Sequence, residues 1–412
     1  MRRVPKILVI GTADTKAAEL LYLKERIDSQ GAQATIMDVG VLGQPSFTPD
    51  IPNHAVAQAA GATLADLVAL GDENLAMARM ANGAVALALD QHARGNVDGV
   101  IALGGTMGTD LALDVTAALP LGMPKFVVTT VAYSHLIPPE RLAPDLMMIL
   151  WAGGLYGLNS ICRAILSQAA GALVGACRSV ETPATERPRI AITSLGKSCL
   201  SYMVRLVPAL EARGYEAVVF HCTGMGGRAM EALLDAQRFV AVFDLCLQEL
   251  ANLHQGSVVH AGPHRLMAAG RLGLPQIVAP GASDMIDVQA WADLPQRFEG
   301  RAHHAHNRLI ASVAATAEEK RELAGEVCAR LAQARGPTAL LLPLHGIHAW
   351  DRAGEPMHDP QGHAEFMAAF RAASRAPVEL HELDHHINDD AFVDHALAVF
   401  DGWVAAGRVP MR

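Results

Sequence analysis

The sequence predicts an α/β protein of two Rossmann-like three-layer domains, each with a mainly parallel sheet, and a cleft between them. Three observations predict it. Short apolar runs alternate with longer amphipathic stretches, the βαβ rhythm of a parallel sheet covered by helices. A polar stretch at 181–188, carrying Pro183 and Pro188, interrupts that rhythm near mid-chain and reads as an inter-domain linker. The rhythm then restarts in the same order: strand, hydroxyl-bearing turn, helix, glycine, strand. The predicted domains are 1–183 and 184–412, and the cleft between two such halves is a favoured ligand position.

In the first half, strands are expected at 6–10, 33–38, 98–103 and 125–130. The stretch 16–29 places Leu20, Leu21, Leu23 and Ile27 near helical spacing, and 72–89 does the same with Leu75, Met77, Met80 and Val85. Both read as covering helices. An alanine-rich stretch at 155–174 reads as a long, largely buried helix. In the second half, a strand at 189–193 leads through Leu195-Gly196-Lys197-Ser198 into a helix ending near 213. Gly214-Tyr215-Glu216 then turns into a strand at 217–221. Further strands are expected at 239–243, 257–260, 275–279 and 338–342.

The 412 residues, 51% of them apolar, suffice for two cores of ordinary size. A net charge of −9 and the lack of a dense Lys/Arg stripe argue against nucleic acid as a partner. Ile7-Leu8-Val9-Ile10, behind a basic N-terminus, is far too short for a signal core, and no segment holds the roughly 18 consecutive apolar residues of a membrane span. The six cysteines stand singly with no Cys-x-x-Cys pair, which excludes zinc-ribbon and thioredoxin readings. A reducing cytoplasm is the expected location.

Two glycine turns carry the functional signal. Gly104-Gly105-Thr106-Met107-Gly108-Thr109 follows Val100-Ile101-Ala102-Leu103, and Thr223-Gly224-Met225-Gly226-Gly227 follows Val218-Val219-Phe220. A glycine turn between a buried strand and a helix leaves backbone N–H groups free for an anion. The expected ligand is therefore a small phosphorylated or otherwise anionic molecule.

The segment Ile10-Gly11-Thr12-Ala13-Asp14-Thr15-Lys16, with Asp38-Val39-Gly40 after the next strand, resembles the uncharacterised protein family typified by the ATP-binding N-terminal module of the tomato mosaic virus resistance protein. Further matches are Leu119-Pro120-Leu121-Gly122-Met123-Pro124-Lys125, Gly157-Leu158-Asn159, the stretch from Phe220 through Gly224 to Glu231, Ala261-Gly262-Pro263-His264-Arg265, Asp284-Met285, His306-Asn307 and Ile387-Asn388-Asp389. These motifs span nearly the whole chain. The resemblance implies two Rossmann-like domains, binding of ATP or a related nucleotide, and a homodimer. In the plant protein a barrel domain follows this module, so here such a partner would be a separate polypeptide. No reaction comes with the resemblance. The chain also departs from the family pattern: Thr106 and Met107 stand where a serine and a glycine are usual. Leu195-Gly196-Lys197-Ser198-Cys199 replaces a run of threonines, and Asp244-Leu245-Cys246-Leu247-Gln248-Glu249 a threonine-rich stretch. Fewer hydroxyls and the added Lys197 point to a different ligand preference.

For the first domain, Gly11, Thr12, Asp14 and Thr15 are candidate ligand-binding residues: Asp14 at a strand's carboxyl end accepts ribose hydroxyls or holds hydrated Mg²⁺. The alternative is that Asp14 or Thr12 caps the following helix. Gly104, Gly105, Thr106, Gly108 and Thr109 form either a phosphate nest or a tight turn needed for packing, without the Gly-Lys-Ser/Thr end of a Walker loop. Asp110 reads as a first-turn residue that complements the helix dipole. In the second domain Gly224, Gly226, Gly227 and Arg228 form the facing wall, with Arg228 alternatively ion-paired to Glu231.

His221, Glu231 and His306 are the proton-transfer candidates, His221 alternatively being a hydrogen-bonded core residue. His260, His264, His303, His304, His306, His345 and His348 crowd the second half, and with Asp284 and Asp351 they could converge on a metal; the milder reading makes His264, Arg265, His306 and Asn307 polar groups around an anionic substrate. His385 and His386 read as part of a solvated loop. Three functions stay open on these residues: a nucleotide-binding enzyme acting on a small anionic metabolite, a regulatory module that binds a protein partner and uses nucleotide to fix its conformation, and a metal-dependent hydrolase or lyase.

Overall fold

A computed structural model of the chain describes residues 3–181, 187–196, 198–235 and 239–409. Lys197 and most of the expected linker lie outside the described residues. The chain divides into two compact units, Met1–Pro183 and Ala184–Arg412.

The first unit runs β1 (Lys6–Gly11), α1 (Ala13–Asp28), β2 (Gln33–Asp38), α2 (Asn53–Ala59), α3 (Leu64–Ala69), α4 (Glu73–Ala93), β3 (Gly99–Gly104), α5 (Thr106–Ala118), β4 (Lys125–Thr129), β5 (Leu146–Leu150) and α6 (Ser160–Ser179). The five strands form one parallel sheet in the order β2-β1-β3-β4-β5. β1 and β3 are apolar on both faces because helices cover both sides, and two separate cores result. Leu8, Ile10, Val100 and Ala102 pack with α4 and α5, whereas Ile7, Val9, Ile101 and Leu103 pack with α1 and α6. Among the described helices α6 alone has the length and composition to cross a membrane. Its Cys162, Leu166, Ala169, Ala170 and Leu173 are wholly buried in the second of those cores.

The second unit runs β6 (Arg189–Ser194), α7 (Ser201–Ala212), β7 (Glu216–His221), α8 (Met225–Asp235), β8 (Ala241–Cys246), α9 (Gln248–His254), α10 (Ala268–Leu272) and β9 (Gln276–Gly281). It continues through β10 (Met285–Gln289), β11 (His303–Ala305), β12 (Ile310–Ala314), α11 (Ala317–Leu331), β13 (Thr338–Pro343), α12 (Pro360–Ala373), β14 (Glu379–Leu383) and α13 (Asp390–Ala405). Its main sheet is parallel, in the order β14-β13-β9-β8-β6-β7. A small antiparallel sheet, β10-β12-β11, is inserted after β9. Both units are thus α/β with mainly parallel sheets, as the alternating rhythm predicts.

The structure adds strands that the apolar runs do not reveal. β14 has only Leu383 fully buried, so its sequence Glu-Leu-His-Glu-Leu lacks an apolar run. The edge strand β5, Leu-Met-Met-Ile-Leu, is in contrast an unbroken apolar run that the expected strands pass over. The expected strand at 257–260 is corrected to a loop. Ser257 there gives its N–H to Asn252 O and its hydroxyl to Asp287 O, which ends α9 rather than starting a ladder.

Candidate functional site

In the first unit the chain passes from β1 outward to β2 and then returns to the other side of β1 as β3. The loops after β1 and β3 therefore part, and open α/β sheets place ligands in that crevice. A cavity of about 220 Å³ lies there, lined by Thr12, Asp14, Thr15 and Lys16 on one side and by Gly104 to Gly108 on the other. Val41, Leu42, Met77 and Met107 add apolar wall. The two predicted segments of this unit meet in one hollow.

Gly105 occupies the N-cap position of α5 and no side chain caps that helix. Its first-turn amides are thus open to a ligand. Gly104 has a packing reason: a Cβ there would lie 2.6 Å from Gly108 Cα. Gly11 likewise serves packing, since a Cβ would meet Leu20 at 2.9 Å. Thr106 is exposed at the mouth, but Thr109 is buried, its hydroxyl bonded to Gly105 O and to Thr129. The expectation that Thr109 contacts a ligand is therefore corrected: that hydroxyl is already satisfied. Asp110 pairs with Arg141, which also holds Asp114.

Neither Thr12 nor Asp14 caps α1, so that alternative falls. Asp38, at the end of β2, accepts the Ala13 N–H at 2.8 Å and takes over the capping role. Burial pushes the Asp38 carboxyl above its usual range, and the neighbouring Asp14 adds to the shift. Asp14 Oδ2 accepts from Leu42 N at 2.9 Å and Gly43 N at 3.2 Å, while its Oδ1 is buried without a partner. A buried polar oxygen in that state calls for a partner. Thr12 and Thr15 hydroxyls lie 2.8 Å apart beside it.

The second glycine turn behaves otherwise. Glu249, wholly buried, directs Oε1 at the amides of Gly224 (2.7 Å) and Gly227 (3.1 Å). A Cβ on Gly227 would lie 1.8 Å from that carboxylate, and one on Gly226 would lie 1.9 Å from His221 O. The anion at the start of α8 is the chain's own. Gly224, Gly226 and Gly227 are hence corrected from ligand contacts to close-packing positions around Glu249. Behind it, the fully buried Arg265 binds Glu249 Oε2 at 2.8 Å, both oxygens of Asp244, and Cys246 O at 3.1 Å. Arg228 reaches the His260 carbonyl at 3.5 Å.

Glu231 is corrected as well. Its carboxylate accepts from Leu266 N and from Ala268 N (2.8 Å), with Arg265 3.5 Å away. Burial raises its pKa, but both oxygens serve the fold and it lines none of the cavities described here.

His221 and His306, in contrast, do meet. The second unit has its own topological switch between β6 and β8. A narrow crevice of about 50 Å³ there is lined by His221, Thr223, Gln248, Asp287, His306 and Ser312, among others. His221 is exposed, not a core residue, and its Nδ1 accepts from Gly196 N at 3.4 Å. His306 and His304 lean on the Trp350 ring at 5.8 Å and 4.2 Å between centroids. At the floor, burial pushes Asp287 up to about 6, although Ser312, Asn252 and Gln248 all donate to it. Gln248 is wholly buried and its Oε1 has no partner.

Asp287 escaped the sequence reading. The available signal was a carboxylate inside the apolar run Met285-Ile286-Asp287-Val288.

Of the crowded histidines, His348 converges with Asp284 and Asp351, the one trio of metal-ligating groups among the described residues whose ligand atoms all lie within 4.8 Å. The hydrogen bonds argue for a different arrangement. His348 Nδ1 accepts the Trp350 N–H at 3.2 Å, so its ring proton sits on Nε2 and faces Asp284 Oδ1 at 3.3 Å. Asp351 is also committed, to the amides of Ile347 and His348 and to His386 Nε2 at 3.0 Å. His386 is thereby buried, which corrects its placement on a solvated loop. Burial opposes ionisation of Asp284, but His348 and Lys320 outweigh it and hold the carboxyl at about 2.

Next to this trio lies a cavity of about 340 Å³ at the carboxyl ends of β9 and β13. His345, one of the expected metal-binding histidines, opens onto it but pairs with Asp384 at 2.8 Å.

The fold and crevices define a two-unit α/β protein with a separate switch-point site in each unit. The chain belongs to the uncharacterised protein family UPF0261: the family's N-terminal domain matches residues 5–182 and its C-terminal domain residues 187–404. It is 54% identical over 405 residues to a UPF0261 protein of Brucella melitensis biotype 1, covering 98% of this chain and 97% of that one. It is 34% identical over 392 residues to one of Clostridium tetani, with 94% and 96% covered. The ToMV resistance protein Tm-1(GCR237) of Solanum lycopersicum is 28% identical over 422 residues, covering 95% of this chain and 54% of that protein.

Proposed function

We propose that the first unit binds a nucleotide or a closely related phosphorylated metabolite in the β1/β3 crevice, and that the protein is a cytoplasmic enzyme acting on a small anionic substrate. One observation carries the reading: the uncapped start of α5 and Asp14, whose Oδ1 is buried without a partner, line the same 220 Å³ hollow. A phosphate suits the first, with Lys16 nearby; a ribose hydroxyl or hydrated Mg²⁺ suits the second. The apolar wall of Val41, Leu42 and Met77 suits a base. In the second unit, His221, His306 and Asp287 around one crevice supply groups of the kinds that donate and accept protons.

Calorimetric titration of the purified chain with ATP, ADP and AMP, each with Mg²⁺, tests the binding. Saturable heat that Lys16→Met weakens supports it. No heat at millimolar ligand refutes it.

A further inference from the structure

We propose that the 340 Å³ cavity beside β13 is a divalent-metal site whose protein ligands are Asp284, His358 and His363. The argument rests on where each ring proton must be. His363 Nε2 lies 2.9 Å from the carbonyl of Pro343. A carbonyl only accepts, so Nε2 carries the proton and Nδ1 presents its lone pair. That Nδ1 is buried and has no partner, in a side chain 8% exposed.

His358 repeats the arrangement in mirror form. Its Nδ1 lies 2.7 Å from Asp351 O and must donate, which leaves the Nε2 lone pair available. A histidine whose second nitrogen donates to a backbone carbonyl is oriented as metal-bound histidines are. Asp284 adds a carboxylate whose buried Oδ1 faces His348 Nε2 at 3.3 Å without completing a hydrogen bond. All three residues line the one cavity.

This set differs from the compact trio of Asp284, His348 and Asp351. His348 offers a proton, not a lone pair, and Asp351 has spent both oxygens. Three carboxylates, Asp284, Asp351 and Asp359, line the cavity against the neighbouring ammonium of Lys320, which lies 3.7 Å from Asp359 and also acts on Asp284. Arg352, also on the wall, is already paired with Asp389. Two imidazoles and one carboxylate select a borderline ion such as Zn²⁺, Co²⁺ or Mn²⁺ over Mg²⁺ or Ca²⁺. Closing the three ligands around an ion asks for movement, and the exposed His358 is the side chain freest to supply it.

The test is titration of the full chain, stripped of metal, with Co²⁺ followed by absorption and with Zn²⁺ followed by calorimetry. One tight equivalent is expected, with ligand-field bands that Zn²⁺ abolishes. His358→Ala, at an exposed position, should keep the circular dichroism and thermal transition yet weaken binding by more than about tenfold, and His363→Gln should do the same. His303→Ala and His135→Ala, exposed histidines that do not line the cavity, should leave it unchanged. Absence of a saturable Co²⁺ spectrum, or full-strength binding in both His358→Ala and His363→Gln, overturns the assignment. So does loss shared equally by the surface controls, which marks adventitious binding by a chain with 18 histidines.

Discussion

Glu249 Oε1 lies 2.7 Å from the Gly224 amide, so the α8 turn holds an internal carboxylate where its sequence suggests room for an external one. Removing that carboxylate frees both the helix start and one side of the buried Arg265. Glu249→Ala is expected to destabilise the chain by about 3–5 kcal/mol, the scale for breaking one partner out of a buried ion network. Urea denaturation measures it. A loss below about 1 kcal/mol would show that the network repairs itself.

Gly104 and Gly105 are adjacent but play different parts. A Cβ on Gly104 runs into the Gly108 backbone at 2.6 Å, whereas one on Gly105 meets only Thr130 Oγ1 at 3.9 Å. Gly104→Ala should cost about 1–3 kcal/mol, and Gly105→Ala less than about 0.5 kcal/mol. Equal costs in denaturant titrations would contradict the packing assigned to this turn.

Lys16 faces the first-unit hollow without taking part in the core. Lys16→Met is expected to weaken a phosphorylated ligand by about tenfold and to flatten the salt dependence of its binding. The thermal transition should stay in place. Unchanged affinity at low ionic strength would remove Lys16 from the site.

Asp287 titrates at about 6 in the folded chain, above the ordinary carboxylate value of 3.8. Between those values the folded state binds more protons than the unfolded one, so this group's contribution to stability falls as pH rises through the window. The change is on the order of 2–3 kcal/mol. Comparing Asp287→Asn with the parent at pH values from about 4 to about 7 isolates it, because asparagine does not titrate. The parent should lose ground to the variant with rising pH, and a flat difference would mean Asp287 is ionised throughout.

Central strands were legible because burial on both faces writes a continuous apolar run. β1, β3 and β13 all show it, and β8 shows it interrupted at Asp244. Edge strands such as β14 need no such run, and the inserted β10-β12-β11 sheet is made of strands too short to stand out, with a carboxylate inside β10 and no buried residue in β11. The lining of the first-unit hollow was legible for a similar reason: strand, turn and helix start are contiguous, so Gly105, Thr106 and Gly108 stand together in the chain.

By itself the sequence determined the α/β class, the strand-turn-helix segments at the ends of β1 and β3, and membership of a family recognised through motifs spread over the chain. Tertiary structure alone decided which amides stay open. Glu249 lies 25 residues from Gly224 and Asp38 lies 25 residues from Ala13, yet each carboxylate satisfies the helix start it reaches. An unpaired N–H is a property of everything that surrounds it, and so are the tautomers of His348, His358 and His363, which partners from distant or folded-back segments set one proton at a time.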